Sequence, residues 1–178
     1  MATRYLALLR GINVGGNNII KMADLKTCFE EMGFENIATY IQSGNVLFNS
    51  NENNLNKLTQ RIEKVLSERF SYHSSVVIIS QQDLSAIVNQ APAGFGTRPD
   101  EYRYDVIFLK SPLTADEALA VIKTKEGVDF VTAGNGVLYF SRLSEKSSQS
   151  KMTQMMGTAV YKQMTIRNWN TSTQLCGL

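Results

Sequence analysis

Arg10, Gly11, Asn13, Gly15, Gly16 and Lys21 lie close together in the chain, and they are residue types that can hold an anion. Backbone N–H groups at glycine positions can cup a phosphate or carboxylate, above all just before a helix. Arg10 and Lys21 would add cations. The spacing excludes the common nucleotide cradles. From Gly11 to Gly15-Gly16 it fits neither G-x-G-x-x-G nor a P-loop, which needs Lys-Ser or Lys-Thr after its last glycine. Ribose binding calls for an acid at the end of the next strand, where Gln42 stands. NAD and Walker-type nucleotides are disfavoured, and no cofactor is expected. The plainer reading of the same glycines is tight turning.

A second polar group is Gln42-Ser43-Gly44-Asn45, whose amides and hydroxyl could read a ligand's polar edge or simply form a turn. No G-x-S-x-G elbow surrounds Ser43, so it is a poor nucleophile. His73 is the single histidine; it follows a helical stretch and reads as a capping or solvent-facing residue. A third group is Thr165-Ile166-Arg167-Asn168-Trp169-Asn170-Thr171. Arg167 can fork onto an anion, with Asn168, Trp169 and Thr171 beside it. Alternatively, Trp169 anchors a terminal helix that Thr165 or Asn168 caps. Of the 7 Met, Met152, Met155, Met156 and Met164 either fill core gaps or line a soft binding face.

Composition removes other chemistries. One His and 2 Cys are too few for a zinc finger, an iron–sulfur cluster or a disulfide framework, and no metal is expected. No paired carboxylates suggest acid–base work. Residues 142–178 carry 5 basic side chains and 1 acid, a net +4, against −2 for residues 1–141. The first 23 residues also lack acids, so both ends are basic. The bland reading is a solvated surface; the sharper one is a small-anion site where the ends meet. The N-terminal residues do not read as a signal peptide, and no apolar run nears the ~18 residues of a membrane helix. The expectation is a cytoplasmic protein without membrane contact, with Cys28 and Cys176 as free thiols.

These groups need a scaffold. At 178 residues the chain suits one compact unit or two packed halves. Thr3–Leu9 reads as a buried strand. Met22, Leu25, Cys28, Phe29 and Met32 keep helical spacing up to Gly33. Asn36–Ile41 and Asn45–Phe48 form a hairpin, Leu55–Phe70 a helix and Ser75–Ser80 a strand. The order β-α-β-β-α-β is the split β-α-β, ferredoxin-like arrangement. Gln82–Gln90 is a short helix, and the Pro- and Gly-rich stretch 91–99 is the clearest linker.

The second half repeats β-α-β-β: a strand at Tyr104–Lys110, a helix at Thr114–Thr124, and a hairpin of Val128–Thr132 and Val137–Phe140. The hairpins resemble one another, Ser43-Gly44-Asn45-Val46-Leu47-Phe48 against Gly134-Asn135-Gly136-Val137-Leu138-Tyr139-Phe140, which implies duplication. Thr165–Leu175 reads as a short basic terminal helix with the only Trp. The expected class is α+β, with two ferredoxin-like halves, 1–98 and 99–178, antiparallel or mixed sheets, and helices on one face. The third strand, Asn45–Asn49, lacks the basic–Gly–aromatic pattern of RNA-recognition strands, so nucleic acid is disfavoured.

Leu8–Gly16, Lys21–Leu25, Tyr40–Val46 and Thr165–Thr171 together resemble the bacterial domain-of-unknown-function family 1697 over nearly the whole chain. The resemblance implies an α+β fold with two similar halves and carries no established activity. Family motifs map onto Arg10, Gly11, Asn13, Gly15, Gly16, Lys21, Gln42, Ser43, Gly44, Asn45, Arg167, Asn168, Trp169 and Thr171.

The leading expectation is a small-anion binding protein or enzyme. Arg10, Lys21 and Arg167 would hold the anion, the glycine loop would give backbone donors, and Gln42, Ser43 and Asn45 would read a neighbouring edge. Phosphate, nucleotide and carboxylate ligands remain open, as do catalysis and the choice between monomer and homodimer. The alternative is a protein–protein interaction module with structural motifs and an apolar patch around Trp169. Weak nucleic-acid binding stands third.

Overall fold

The apolar run Thr3–Leu9 forms strand β1, followed by α1 (Met22–Glu31), β2 (Glu35–Tyr40), β3 (Asn45–Ser50), α2 (Leu55–Phe70) and β4 (Val76–Ser80). The computed structural model describes residues 1–178. These strands make one antiparallel sheet in the order β2-β3-β1-β4, the split β-α-β topology. Tyr5, Ala7 and Leu9 point to the face covered by Leu25 and Phe29 of α1 and by Leu58, Ile62 and Leu66 of α2. Each leucine, isoleucine and phenylalanine among them contributes about 1.5–3 kcal/mol by leaving water. Leu6 and Leu8 are fully buried too. From Tyr5 to Leu9 both faces of β1 are buried, and over those residues the sequence is continuously apolar and does not alternate.

The helix ends follow local chemistry. α1 stops at Gly33, whose φ of +79° is the left-handed conformation that glycine adopts without penalty. Asn54 caps α2 by accepting the Lys57 N–H at 3.1 Å. The left-handed residue that closes α2 is Ser71, and His73 beyond it is exposed.

The second half contains α3 (Gln81–Asn89), β5 (Tyr102–Leu109), α4 (Ala115–Val121), β6 (Asp129–Ala133), β7 (Val137–Leu143), β8 (Met164–Asn168) and α5 (Trp169–Cys176). Its sheet, also antiparallel, runs β6-β7-β5-β8, the same order as the first. The repeat extends to single hydrogen bonds. Leu9 N–H donates to Gly44 O at 2.8 Å as Leu109 N–H does to Gly136 O at 3.0 Å. Arg10 N–H donates to Ser75 O at 3.0 Å as Lys110 N–H does to Gln163 O at 2.8 Å.

Three details differ from the sequence reading. Thr165–Asn168 is part of a strand, because Met164–Asn168 pairs with Asp105–Leu109; the terminal helix starts at Trp169 and carries no basic residue. The place of a second covering helix is taken by Ser144–Gln163, which holds only short 3-10 turns. α4 is shorter than the pattern suggested. A capping box between Thr114 and Glu117 starts it, but Ile122 turns extended and packs into the core with Leu138 and Met152.

Contacts divide the chain into Met1–Leu84 with Leu178, and Ser85–Gly177. That division lies inside α3, upstream of the Pro- and Gly-rich stretch. The reason is packing: Tyr139 Oη donates to Ile87 O at 2.6 Å, and the Phe95 ring packs edge-on against Tyr104, Tyr139 and Trp169. The linker-like segment is thereby held to the second sheet.

Candidate functional site

The glycine segment after β1 is a miniature hairpin. Asn17 N–H donates to Val14 O at 3.0 Å and Asn13 N–H to Asn18 O at 3.1 Å. Gly15 and Gly16, with φ of +59° and +76°, form its tip, and positive φ at both central residues is the hairpin-turn geometry that favours glycine. Turning therefore accounts for these two glycines. Lys21 takes the N-cap position of α1, where its side chain makes no cap bond.

One side chain fixes the loop. Asn13 Nδ2 donates to Ile20 O at 3.0 Å and to Gln42 O at 2.7 Å, while its Oδ1 accepts the Ile20 N–H at 2.8 Å. Asn18 Nδ2 adds a bond to Gly11 O at 2.9 Å. The first and second motifs thus meet, joined by Asn13. The hairpin side of the joint is close-packed. A Cβ on Gly44 (φ +85°) would stand 2.9 Å from Leu9 Cβ and 2.6 Å from Ile12 Cδ1. Asn45 is fully buried, and its Nδ2 donates to Tyr40 O at 2.8 Å and to Ser43 Oγ at 3.1 Å. Asn13, Gly44 and Asn45 therefore build the site's frame.

Arg10 and Ser43 are half-buried, whereas Gly11, Lys21 and Gln42 are exposed. Backbone strain collects here. Three of the five non-glycine residues with positive φ are Asn13, Asn18 and Ile41, and a β-branched residue such as Ile41 seldom adopts that conformation.

The third motif belongs to the second unit. Arg167 is buried on β8, its Nη1 donates to Ile166 O at 3.0 Å, and burial pushes its guanidinium down to about 10. Asn168 Oδ1 accepts the Thr171 N–H at 2.7 Å, which makes Asn168 the N-cap of α5. Trp169 is half-buried and packs edge-on against Phe95. Met152, Met155 and Met164 are buried and fill the second core; Met156 is the exposed one of that set.

Both cysteines are free thiols. Burial raises the Cys28 thiol above its ordinary value, more than Arg69 lowers it, so Cys28 rests protonated. No group of three or more His, Cys, Asp or Glu is placed to hold a metal ion, and no helix is long and apolar enough to cross a membrane.

Residues 2–139 match the model of a family described as protein of unknown function (DUF1697). The chain belongs to this DUF1697 family. The match includes the glycine loop and the Gln42–Asn45 hairpin and stops before β8. A solved structure, of a conserved bacterial protein from Streptococcus pneumoniae, is 28% identical, with a TM-score of 0.83 over 99% of this chain and 98% of that one. The likeness includes β8 and α5 and supports the two-sheet α+β fold. No curated protein matches.

Sequence reasoning missed Arg103, Asp105 and Arg142, which line a cavity on the second sheet. Their signal was Arg103 and Asp105 at alternate positions of an otherwise apolar and aromatic strand, on one face of it.

Proposed function

We propose that the protein binds a small carboxylate- or phosphate-bearing ligand at the loop surface of its first unit. The observation that carries this reading is the Asn13 joint, which holds the glycine hairpin against the Gln42 carbonyl at 2.7 Å and sets Lys21 directly after the fixed Ile20. Arg10 leaves the sheet from a backbone anchored to Ser75. A rigid polar frame flanked by two cations suits an anion, because little ordering is left for binding to offset. Arg10 and Lys21 hold the charge, and Gln42 and Ser43 contact a neighbouring polar edge.

The test is a thermal-shift series with phosphate, citrate and nucleoside monophosphates on wild type, Arg10→Ala and Lys21→Ala. A ligand at ~100 times its Kd adds about 2.7 kcal/mol, or about 5–10 °C for a chain of this size. The reading requires one anion class to give such a shift in wild type and both variants to lose most of it. An equal shift in all three proteins is general salt stabilisation and overturns it, as does no shift at all.

A second reading has its own observation. Val14, Ile19 and Ile41 are 63%, 74% and 47% exposed and sit in the same loop and hairpin. Exposed apolar residues at a rigid frame suit a protein partner or a second copy of the chain. If sedimentation gives a dimer that Ile19→Glu converts to monomer, this reading replaces the first.

A further inference from the structure

The second sheet has a cavity of about 170 Å³ where the irregular segment Ser144–Gln163 crosses the sheet face. Met152, Thr153, Met156 and Tyr161 form its roof; β5, β7 and β8 form its floor. The repeat shows what is unusual about that floor. The bonds from Leu9 to Gly44 and from Leu109 to Gly136 set the correspondence, by which Asp105 takes the position of Tyr5 and Phe140 that of Phe48. In the first unit Tyr5 and Phe48 are core aromatics with ring centroids 5.8 Å apart, in the core cluster that also holds Leu58, Ile62 and Leu66 of α2. In the second, a carboxylate replaces the aromatic and the covering helix is gone.

Asp105 is 7% exposed. Its Oδ2 lies 3.4 Å from Arg103 Nε, but its Oδ1 is buried without a hydrogen-bond partner, and so is Nε of Arg142. Arg103 and Arg142 are Cα partners across the sheet, so both guanidiniums and the carboxylate share one face. A buried acceptor and a buried donor without partners are costly in a core. They are complementary to a ligand that brings one acceptor and one donor close together. The cavity lining itself holds two guanidiniums and one carboxylate. A second acid on the same face, Asp129, the Cα partner of Arg142 on β6, lies outside that lining, with its Oδ2 accepting the Lys125 and Lys151 N–H groups. The polar end of the cavity therefore favours a ligand carboxylate. Ile107, Phe140, Met152 and Met156 favour an alkyl body, and a cavity of roughly 150 Å³ takes a molecule of benzene size.

We propose that this cavity binds a small aliphatic carboxylic acid with a hydroxyl or amino group on the carbon next to the carboxylate. The carboxylate lies on Arg142 and Arg103, the hydroxyl or amino group donates to Asp105 Oδ1, and the alkyl body packs on Met152 and Met156. Its lining shares no residue with the anion surface proposed for the first unit.

The test uses full-length protein with 13C-methyl methionine, followed by NMR through titration with 2-hydroxyisovalerate, valine and isovalerate, which share a body and differ in the donor. The expected result is saturable movement of the Met152 and Met156 methyl signals with the hydroxy or the amino acid, and at least tenfold weaker binding of isovalerate. Which of the two binds more tightly identifies the donor. Arg142→Met weakens binding at least tenfold, and Arg103→Met, at an exposed position, serves where Arg142→Met unfolds. Arg10→Ala leaves this binding unchanged, so the site stands or falls apart from the first unit's reading. No saturable movement, as for a cavity holding water only, overturns the proposal. So does isovalerate binding as tightly as the other two, or wild-type affinity in the folded arginine variant.

Discussion

The carboxylate of Asp129 accepts the backbone N–H of Lys151 at 2.9 Å through Oδ2, and the same oxygen accepts the Lys125 N–H at 2.9 Å. One buried side chain at the start of β6 thus secures both the turn before that strand and the segment that carries Met152. Replacing it by Ala strands two N–H groups, at ~1–3 kcal/mol each where they stay dry. Asp129→Ala is expected to lose about 2 kcal/mol, a fall of ~4–8 °C in midpoint. Hydrogen exchange at Lys151 and Met152 should accelerate relative to β5. Exchange at the wild-type rate would show that the segment is held by other contacts.

The Asn13 joint makes an ordered prediction. Asn13 sits at φ +53°, where Asn is tolerated, Gly is at ease and Ala is strained. Both substitutions remove the three side-chain hydrogen bonds to Ile20 and Gln42. Asn13→Gly is expected to cost about 1–2 kcal/mol and Asn13→Ala about 1 kcal/mol more. Chemical denaturation of the two variants checks the order. If Gly matches wild type, the hydrogen bonds contribute nothing and only the conformation matters.

The elements readable from sequence were those whose signal is local. α1 and α2 followed from helical spacing of apolar residues, and the Gly44 and Gly136 hairpins from turn residues before apolar strands. β8 was not readable as a strand because Met164–Asn168 is five residues long, holds a buried arginine, and is defined by pairing with β5 far back in the chain. The site divides in the same way. Arg10, Lys21 and Gln42 stand out by type, but the act that joins their motifs is a side chain finding the backbone carbonyl of Gln42, which no residue type announces. Arg103, Asp105 and Arg142 belong to one cluster only because register sets β5 beside β7.

Trp169 offers a spectroscopic test of the second unit. A Cβ on Gly96 would stand against Nε1 and Cδ1 of the Trp169 indole, and Gly96 has φ +82°. Gly96→Ala therefore meets both a clash and a strained backbone, expected to cost about 2–4 kcal/mol together. As Trp169 is the only Trp, the emission of the folded variant should shift red as the indole leaves the Phe95 ring. Unchanged emission and midpoint would place the indole away from Gly96.

Asp105 gives a pH signature with a definite sign. Burial raises its carboxyl above the ordinary aspartate value, outweighing the lowering by Arg103 and Arg142. The folded state then binds the proton more tightly than the unfolded chain does. The acid's stabilising contribution is full below the unfolded value of about 3.9 and is lost as pH rises through the higher folded value. At neutral pH the buried charge is a cost, and its pair with Arg103, whose side chain is 58% exposed, offsets little of it. Asp105→Asn should raise the midpoint at pH 7 by a few °C, for about 1 kcal/mol. The gap should close as pH falls towards 4, where wild type takes up the proton. A variant less stable than wild type at pH 7, or a gap that widens on acidification, would show that the carboxylate is held as an ion by partners stronger than Arg103 and Arg142.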